Sequence, residues 1–396
     1  MRFMLLRTWM LLLPLLAACG QHQPPTETAP LATPPPAAAP NASPAAPAPA
    51  TAEPTVSVVP AKYYTTFAAA ADTVLRGPGH SYRISWQVRL DTLRHLTHVT
   101  PPDPAKHFSG DTSRGFQGYY MVEVRDSLGH RIGRHAFTKA DFYPAVGPEL
   151  AISSEVELPQ LLGYSAPLGG LVFTVPFNAP GTDWYGEAVL VLAPTGQVRY
   201  LGLGTDVGGP EVAVTLAPDG CTLLTIDEIR HVGRPPVLLA RAGAELRGAR
   251  LLNDTLALLV YELGQPRTRP NGVPYLEATP AQRRQPNAFV RDVRNGRELS
   301  RFRYDGFYEE LGYIVPWQVV PQAHAAYLLD AAKGLYVLPL GQPAAGRWLP
   351  FATLPRAARP PAAGEASFEL MGPSQRYRFW ADTAQASHVR YQLLKD

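Results

Sequence analysis

Between Tyr82 and Leu90 apolar and polar residues alternate without a break: Tyr82, Ile84, Trp86, Val88 and Leu90 are interleaved with Arg83, Ser85, Gln87 and Arg89. Successive side chains of a strand point to opposite faces, so a period of two marks extended chain with one wet face and one buried face. Tyr120, Val122 and Val124 repeat the pattern against Glu123 and Arg125. Asp126-Ser127-Leu128-Gly129 then offers a turn with glycine at the left-handed position, and Arg131 to Phe137 returns as the second arm of a hairpin. Turn signals follow at Pro194-Thr195-Gly196, Pro218-Asp219-Gly220, Asn253-Asp254, Asn295-Gly296 and Lys333-Gly334, each between short runs of Val, Leu, Tyr and Phe. Segments with a 3.6-residue period are nearly absent. A short helix is expected only near Lys62 to Leu75, and Ala140 to Leu150 reads as loop. The fold class predicted is all-β.

Composition narrows this further. The 396 residues are 46% hydrophobic and 17% charged, with 42 Pro and 33 Gly. That is enough apolar material for a substantial core and length for two to three domains, and it excludes a coiled coil, a polytopic membrane protein and a wholly disordered chain. Twelve of the prolines fall in residues 21–60, among Ala, Thr and Ser, with no aromatic residue. Such a stretch cannot bury enough surface to offset its ordering entropy and is expected to be a disordered Pro/Ala-rich linker, partly polyproline II.

Repeats suggest how the strands are arranged. Val189 to Gly196 and Val212 to Gly220 share a Leu-Ala-Pro-x-Gly turn spaced by 24 residues. Phe289 to Leu299 and Tyr327 to Tyr336 share an apolar-Asp-x-x-x-Gly-apolar plan. These segments resemble the hairpins of β-propeller blades. The resemblance implies about sixteen short strands from Leu171 to Leu394 in four or five four-stranded blades. Stacked β-sandwiches remain the alternative. Residues 61–150 lack the repeats and are expected to form a small β-sandwich-like domain, or else a first irregular blade packed on the rest, with a boundary near Gly147-Pro148. Residues 151–396 would be the propeller-like part.

The first residues carry a different kind of signal. Arg2 and Arg7 flank a basic start, and eleven mostly apolar residues follow from Thr8 to Ala18. A transmembrane helix needs about 20 apolar residues, so this run fits the core of a signal peptide. Leu16-Ala17-Ala18-Cys19 resembles the lipobox of bacterial lipoproteins. The resemblance implies cleavage after residue 18, diacylglycerol on the Cys19 sulfur, and acylation of the new amine with a fatty chain such as palmitate. Residues 19–60 would then be a lipidated tether to the bilayer. Two or more acyl chains make a stable anchor. Gly20, rather than Asp, follows Cys19, which for such lipoproteins points to the outer membrane, with the body facing the periplasm or the cell surface.

The formal charge is +3. Removing Arg2 and Arg7 leaves 3 − 2 = +1, which gives no footprint for nucleic acid. With Cys19 acylated, Cys221 has no intrachain partner and is expected to be a small buried hydrophobe. His95, His98 and His107 with Asp103 are the densest potential ligand set. Histidines three apart on a strand face opposite sides, and no metal-binding spacing supports them, so neither a metal nor another cofactor is expected. Gly163 to Gly169 has Pro167 where a nucleophile elbow needs glycine after Ser165. The adjacent acids Asp227-Glu228 and Glu309-Glu310 read as turn or surface charges. No catalytic residues are assigned.

Aromatic residues near turns are the enriched resource. They are Trp184, Tyr185, Tyr304, Phe307, Tyr308, Tyr313, Trp317 and Trp380, and of these Trp184, Tyr185, Tyr308, Trp317 and Trp380 are the candidate ligand-binding residues, able to stack on sugar or peptide. The expected function is a membrane-anchored envelope protein that binds or scaffolds another envelope component. A glycan-active enzyme or carbohydrate binder is the alternative.

Overall fold

A computed structural model describes residues 55–58, 64–77, 80–102, 110–206, 211–268, 274–309, 312–356 and 362–394. Cys19, the leader, nearly all of the Pro/Ala-rich segment, Asp103, His107 and Glu310 lie outside the described residues. The chain from Ala52 to Asp396 is one compact unit.

The described residues form six small sheets that follow the chain, with two short hairpins inserted. The first sheet has five strands: Thr55–Val58, Ala68–Gly77, His80–Thr100, Asp111–Arg125 and Arg131–Thr138. The second pairs Gln160–Ser165, Gly170–Asn178, Tyr185–Leu192 and Val198–Asp206 in chain order. The third runs from Thr215–Leu216 to Val237–Leu238. The fourth holds Ala244–Leu251, Leu256–Leu263, Ala288–Asp292 and Glu298–Phe302, with Glu211–Val212 added in parallel at its edge. The fifth spans Trp317–Val320 to Arg347–Pro350, and the sixth has three strands from Glu365–Met371 to Val389–Leu394. Sheets two, three, five and six are antiparallel meanders in which sequential strands are neighbours, and the fourth is one apart from its parallel edge strand and the inserted hairpin, which is the plan of propeller blades.

Packing follows the same order. Trp86, Tyr120 and Phe137 of the first sheet share a core with Phe173, Phe177 and Leu190 of the second. Val172 and Val191 meet Leu223 of the third. Leu224 and Ile229 meet Leu259 and Tyr261 of the fourth. Leu258 and Val290 meet Trp317 and Leu328 of the fifth, and Tyr327 and Leu329 meet Phe368 and Phe379 of the sixth. Central strands therefore bury both faces. This is why Leu256–Leu263 and Ala325–Asp330 read as continuous apolar runs instead of alternating. The body is all-β and propeller-like.

Five expectations change. The end of the segment expected to be disordered linker is a strand, Thr55–Val58, paired in parallel with Asp111 to Arg114. The repeats are turns, not blades. Ala193 to Gly196 links the third and fourth strands of its sheet, whereas Ala217 to Gly220 links the first and second of the next. What they share is local: Gly196 and Gly220 sit at φ 94° and 70° and each donates its N–H to the alanine carbonyl three residues back, at 2.8 Å in both. Lys62 to Leu75 forms no helix among the described residues; Ala68–Gly77 is a strand. The stretch from Lys139 is helical instead of loop, with a 3₁₀ turn at Lys139–Phe142, α1 at Tyr143–Val146 and α2 at Pro148–Ser153. Asp141 accepts from the Thr138 N–H at 2.7 Å, and Pro144 and Pro148 open the helices, where a missing N–H costs nothing. Of the two arrangements expected for this region, the described residues from 55 to 138 give a single sheet packed on the next one, not a closed sandwich. Its second layer is the sheet beyond Gly147-Pro148, and Leu150 and Ala151 of α2 belong to the shared core.

Candidate functional site

The fourth sheet sends out two hairpins on one side. Leu256–Leu263 runs on into Gln265–Thr268, which pairs with Pro274–Glu277. Beyond Phe302, the chain passes through Arg303-Tyr304-Asp305-Gly306 into Phe307–Glu309, which pairs with Gly312–Ile314. Between them lies a cavity of about 270 Å³, lined among others by Glu262, Arg283, Arg303, Asp305, Tyr308 and Tyr313.

The connection is fixed from below by buried polar groups. Asn287 donates to the Tyr261 carbonyl at 2.7 Å and accepts from the Tyr304 N–H at 2.9 Å. Tyr304 is itself buried and donates its hydroxyl to the Leu329 carbonyl at 2.9 Å, tying the fourth sheet to the fifth. Gly306 is required where it stands, because a Cβ there would lie 2.4 Å from the Ile314 carbonyl oxygen. Its N–H donates to the Tyr313 hydroxyl at 2.6 Å.

Charged groups line the walls in pairs. Arg247 grips Glu262 at 2.8 and 2.6 Å and reaches Glu245 at 2.7 Å. Glu262 also accepts from the Tyr308 hydroxyl. Asp305 is held by Arg303 and by Lys333, the latter at 2.5 Å, and Lys333 reaches back to Asp330 at 3.2 Å. Burial and the bond to Glu262 push the Tyr308 phenol above its ordinary range, and burial pushes Tyr313 up to about 12. Both phenols are therefore protonated donors at neutral pH. The Tyr308 ring is 58% exposed and meets Tyr313 edge to face at 5.2 Å. The Arg283 side chain makes a single hydrogen bond among the described residues, from Nε to the Ala278 carbonyl at 3.3 Å. A site of this kind offers an aromatic face, fixed donors and acceptors, and little free charge. It suits a small polar molecule with hydroxyl groups.

Of the five aromatics singled out in the sequence, only Tyr308 reaches this cavity. Trp317 and Trp380 are corrections: they are 8% and 3% exposed and pack in or on sheets five and six. The Arg390 guanidinium covers Trp380 at 4.2 Å, and Arg250 lies 5.7 Å from the Trp317 ring. Trp184 is half-buried against the core of the first two sheets. Tyr185 donates its hydroxyl to Glu187 on the same strand. These residues occupy different sheets and form no common surface with Tyr308.

The remaining sequence candidates are structural. Ser165 is buried, donates to the Gly220 carbonyl and accepts from the Leu168 N–H at 3.0 Å. Glu228 is bound by Arg230 at 3.0 and 2.6 Å. His98 lies 3.5 Å from Glu149, while His95 packs on Phe116. No group of three or more metal-ligating side chains is gathered among the described residues. Cys221 is a further correction: it is half-buried beside the turn rather than in the core, with its N–H bound to Asp219 at 2.8 Å.

No family model matches the chain, and no curated protein matches it. A similar solved structure is the WD40 domain of Pan2 from Neurospora crassa, at 11% identity, covering 69% of this chain and 84% of that chain, with a TM-score of 0.27. It is the strand order and the shared cores described above that make the body propeller-like.

Proposed function

We propose that this chain is a lipoprotein of the cell envelope, acylated at Cys19, whose propeller-like body binds an envelope glycan in the cavity between the two hairpins. The observation that carries the binding part is Tyr308: a ring left open to solvent at a cavity mouth, with its hydroxyl held in place by Glu262. An aromatic face with an oriented polar tip is what a sugar ring uses, its C–H face against the ring and its hydroxyls on the surrounding donors and acceptors. The cavity is slightly below the range of about 300 Å³ upward that holds drug-sized ligands, which fits one sugar unit of a longer chain. Binding is favoured over turnover because Glu262 and Asp305 are each committed to arginine or lysine partners. A general acid needs a carboxyl free to hold and release a proton.

The anchor rests on Arg2, Arg7, the apolar run and Leu16-Ala17-Ala18-Cys19. Cys19→Ala is expected to make the protein extractable from membranes by a carbonate wash, which wild type resists. Retention of that variant after a carbonate wash would overturn the lipid attachment. For the site, a glycan array probed with wild type and Tyr308→Ala is the test. Saccharide binding that falls by about tenfold in the variant supports the reading, in line with the ~1.5 kcal/mol upper range for an aromatic contact. Binding unaffected by the variant, or cleavage of the bound glycan, would overturn it.

A further inference from the structure

We infer that the outer face of the first sheet is a docking surface for an anionic lipid bilayer. One face of this sheet is buried against the second sheet. The other is unpartnered, and its residues are fixed by register: Ala70 opposite Gln87, Gln87 opposite Met121 and Met121 opposite Ala136 form one row. Ala68, Arg89 and Tyr119 form the next. Around these rows lies an open groove of about 590 Å³ with a floor of alanine, methionine and tyrosine. Val74, on the same face, is 50% exposed.

The rim is basic. Arg83 and Arg125 have acidic neighbours, Asp72 at 3.6 Å and Glu123 at 2.6 Å. Three other guanidiniums make no ion pair within 4 Å among the described residues, although Glu123, held by Arg125, stands opposite Arg134 in the register. Arg89 lies over the Tyr119 ring at 5.4 Å. Arg94 reaches the Tyr119 hydroxyl at 3.4 Å. Arg134 rests on the Met121 sulfur at 2.9 and 2.7 Å. All three are exposed. A chain with a formal charge of only +3 thus places five arginines, against Asp72 and Glu123, on the face around one apolar groove.

Basic side chains around exposed apolar surface match a layer of anionic headgroups over acyl chains. The guanidiniums would take the phosphates, and Met121, Tyr119 and Val74 would reach the headgroup boundary. A discrete acidic polypeptide would satisfy the charge but leaves the breadth of the groove, across four strands, unused. This surface is separate from the glycan cavity and does not depend on it.

The experiment uses the full chain carrying Cys19→Ala, so that no acyl group contributes. It is sedimented with phosphatidylcholine vesicles, with and without phosphatidylglycerol. Binding is expected only with phosphatidylglycerol and is expected to fall with salt. Arg89→Gln and Arg134→Gln should each weaken it about fivefold, the equivalent of ~1 kcal/mol per arginine at an anionic surface. Arg283→Gln, at the cavity, should leave it unchanged. Equal binding to both vesicle types, no binding to either, or full binding by a folded Arg89→Gln/Arg134→Gln double variant would overturn the inference. So would binding to soluble polyglutamate with none to the anionic vesicles.

Discussion

The guanidinium of Arg247 holds one carboxylate oxygen of Glu262 through two N–H groups, at 2.8 and 2.6 Å. That oxygen also accepts from Tyr308, and Arg247 itself reaches the Tyr308 hydroxyl at 3.4 Å, so Arg247 sets the direction of the exposed aromatic ring at the cavity mouth. Glu262→Gln keeps the shape but weakens the grip of Arg247 and the hold on the tyrosine. It is expected to lower glycan affinity about fivefold, consistent with the loss of ~1 kcal/mol of charge-assisted hydrogen bonding. Tyr308→Phe should do the same, and combining the two should add little, because both break one link. Isothermal titration of the three variants checks this; additive losses would mean that the two residues act separately.

Lys139 is fully buried, with its ammonium donating to the Ile152 carbonyl at 3.1 Å and to that of Ser154. Burial lowers its pKa from 10.5 to about 7, opposed by the charge of Glu155. Between about pH 7 and 10 the unfolded chain holds this proton and the folded chain does not. Stability should therefore rise with pH across that window, by at most about 1.4 kcal/mol per unit. Buried tyrosines act only above their ordinary pKa near 10. Denaturant midpoints in a pH series should slope upward for wild type and be flat for Lys139→Met; equal slopes would mean that the lysine does not titrate in this range.

The strands were legible because the pattern of buried faces is written directly in the residues: Ile84, Trp86, Val88 and Leu90 are all buried, as their alternation predicts. The helices after Thr138 were missed although Thr138, Asp141, Pro144 and Pro148 are start signals, because each helix is too short to show a 3.6-residue period. The similar turns misled for a physical reason. Asp292 and Asp330 cap their turns in the same way, accepting N–H groups of Arg294 and Ala332 at 2.9 and 3.0 Å, yet they join different strand pairs of their sheets. Turn chemistry reports the local bend, not the place in a blade. The cavity was legible only through the aromatics Tyr308 and Tyr313. Glu262, Arg283 and the Arg303-Asp305 pair come from three separate segments and form no motif in the chain. Trp317 misled because it opens a strand of only four residues, too short to show parity, and Trp380 because it follows the core residue Phe379 on the opposite face, where Arg390 covers it.

Cys221 follows the Pro218-Asp219-Gly220 turn, and its sulfur is 3.6 Å from the Asp219 carbonyl oxygen. Burial, the Asp219 charge and the Asp254 charge raise the thiol pKa. Slow labelling at neutral pH is therefore expected from a scarce thiolate rather than from inaccessibility. Asp219→Asn, which keeps the acceptor for the Cys221 N–H, should speed labelling of the native protein about threefold. A rate indifferent to this change that rises only on unfolding would show that the thiol is sealed in the fold.

Trp86 of the first sheet donates its indole N–H to the Pro159 carbonyl at 2.7 Å and meets Phe173 edge to face at 5.8 Å. Gly133 presses on the second sheet's turn so closely that a Cβ would lie 2.3 Å from the Pro194 carbonyl oxygen. Two sheets joined in this way should melt together, as one cooperative transition across residues 64–206. Trp86→Phe leaves the Pro159 carbonyl without its donor and is expected to cost about 1–3 kcal/mol. Gly133→Ala should cost at least as much, because backbone must move on both sides. Calorimetry combined with tryptophan fluorescence checks this. Each variant should lower a single midpoint seen identically by both methods, since loosening either contact weakens the core that the first and second sheets build together. Two separated transitions, with only one shifted by Trp86→Phe, would instead make the first sheet an independent folding unit and leave its contacts with the second sheet without energetic weight.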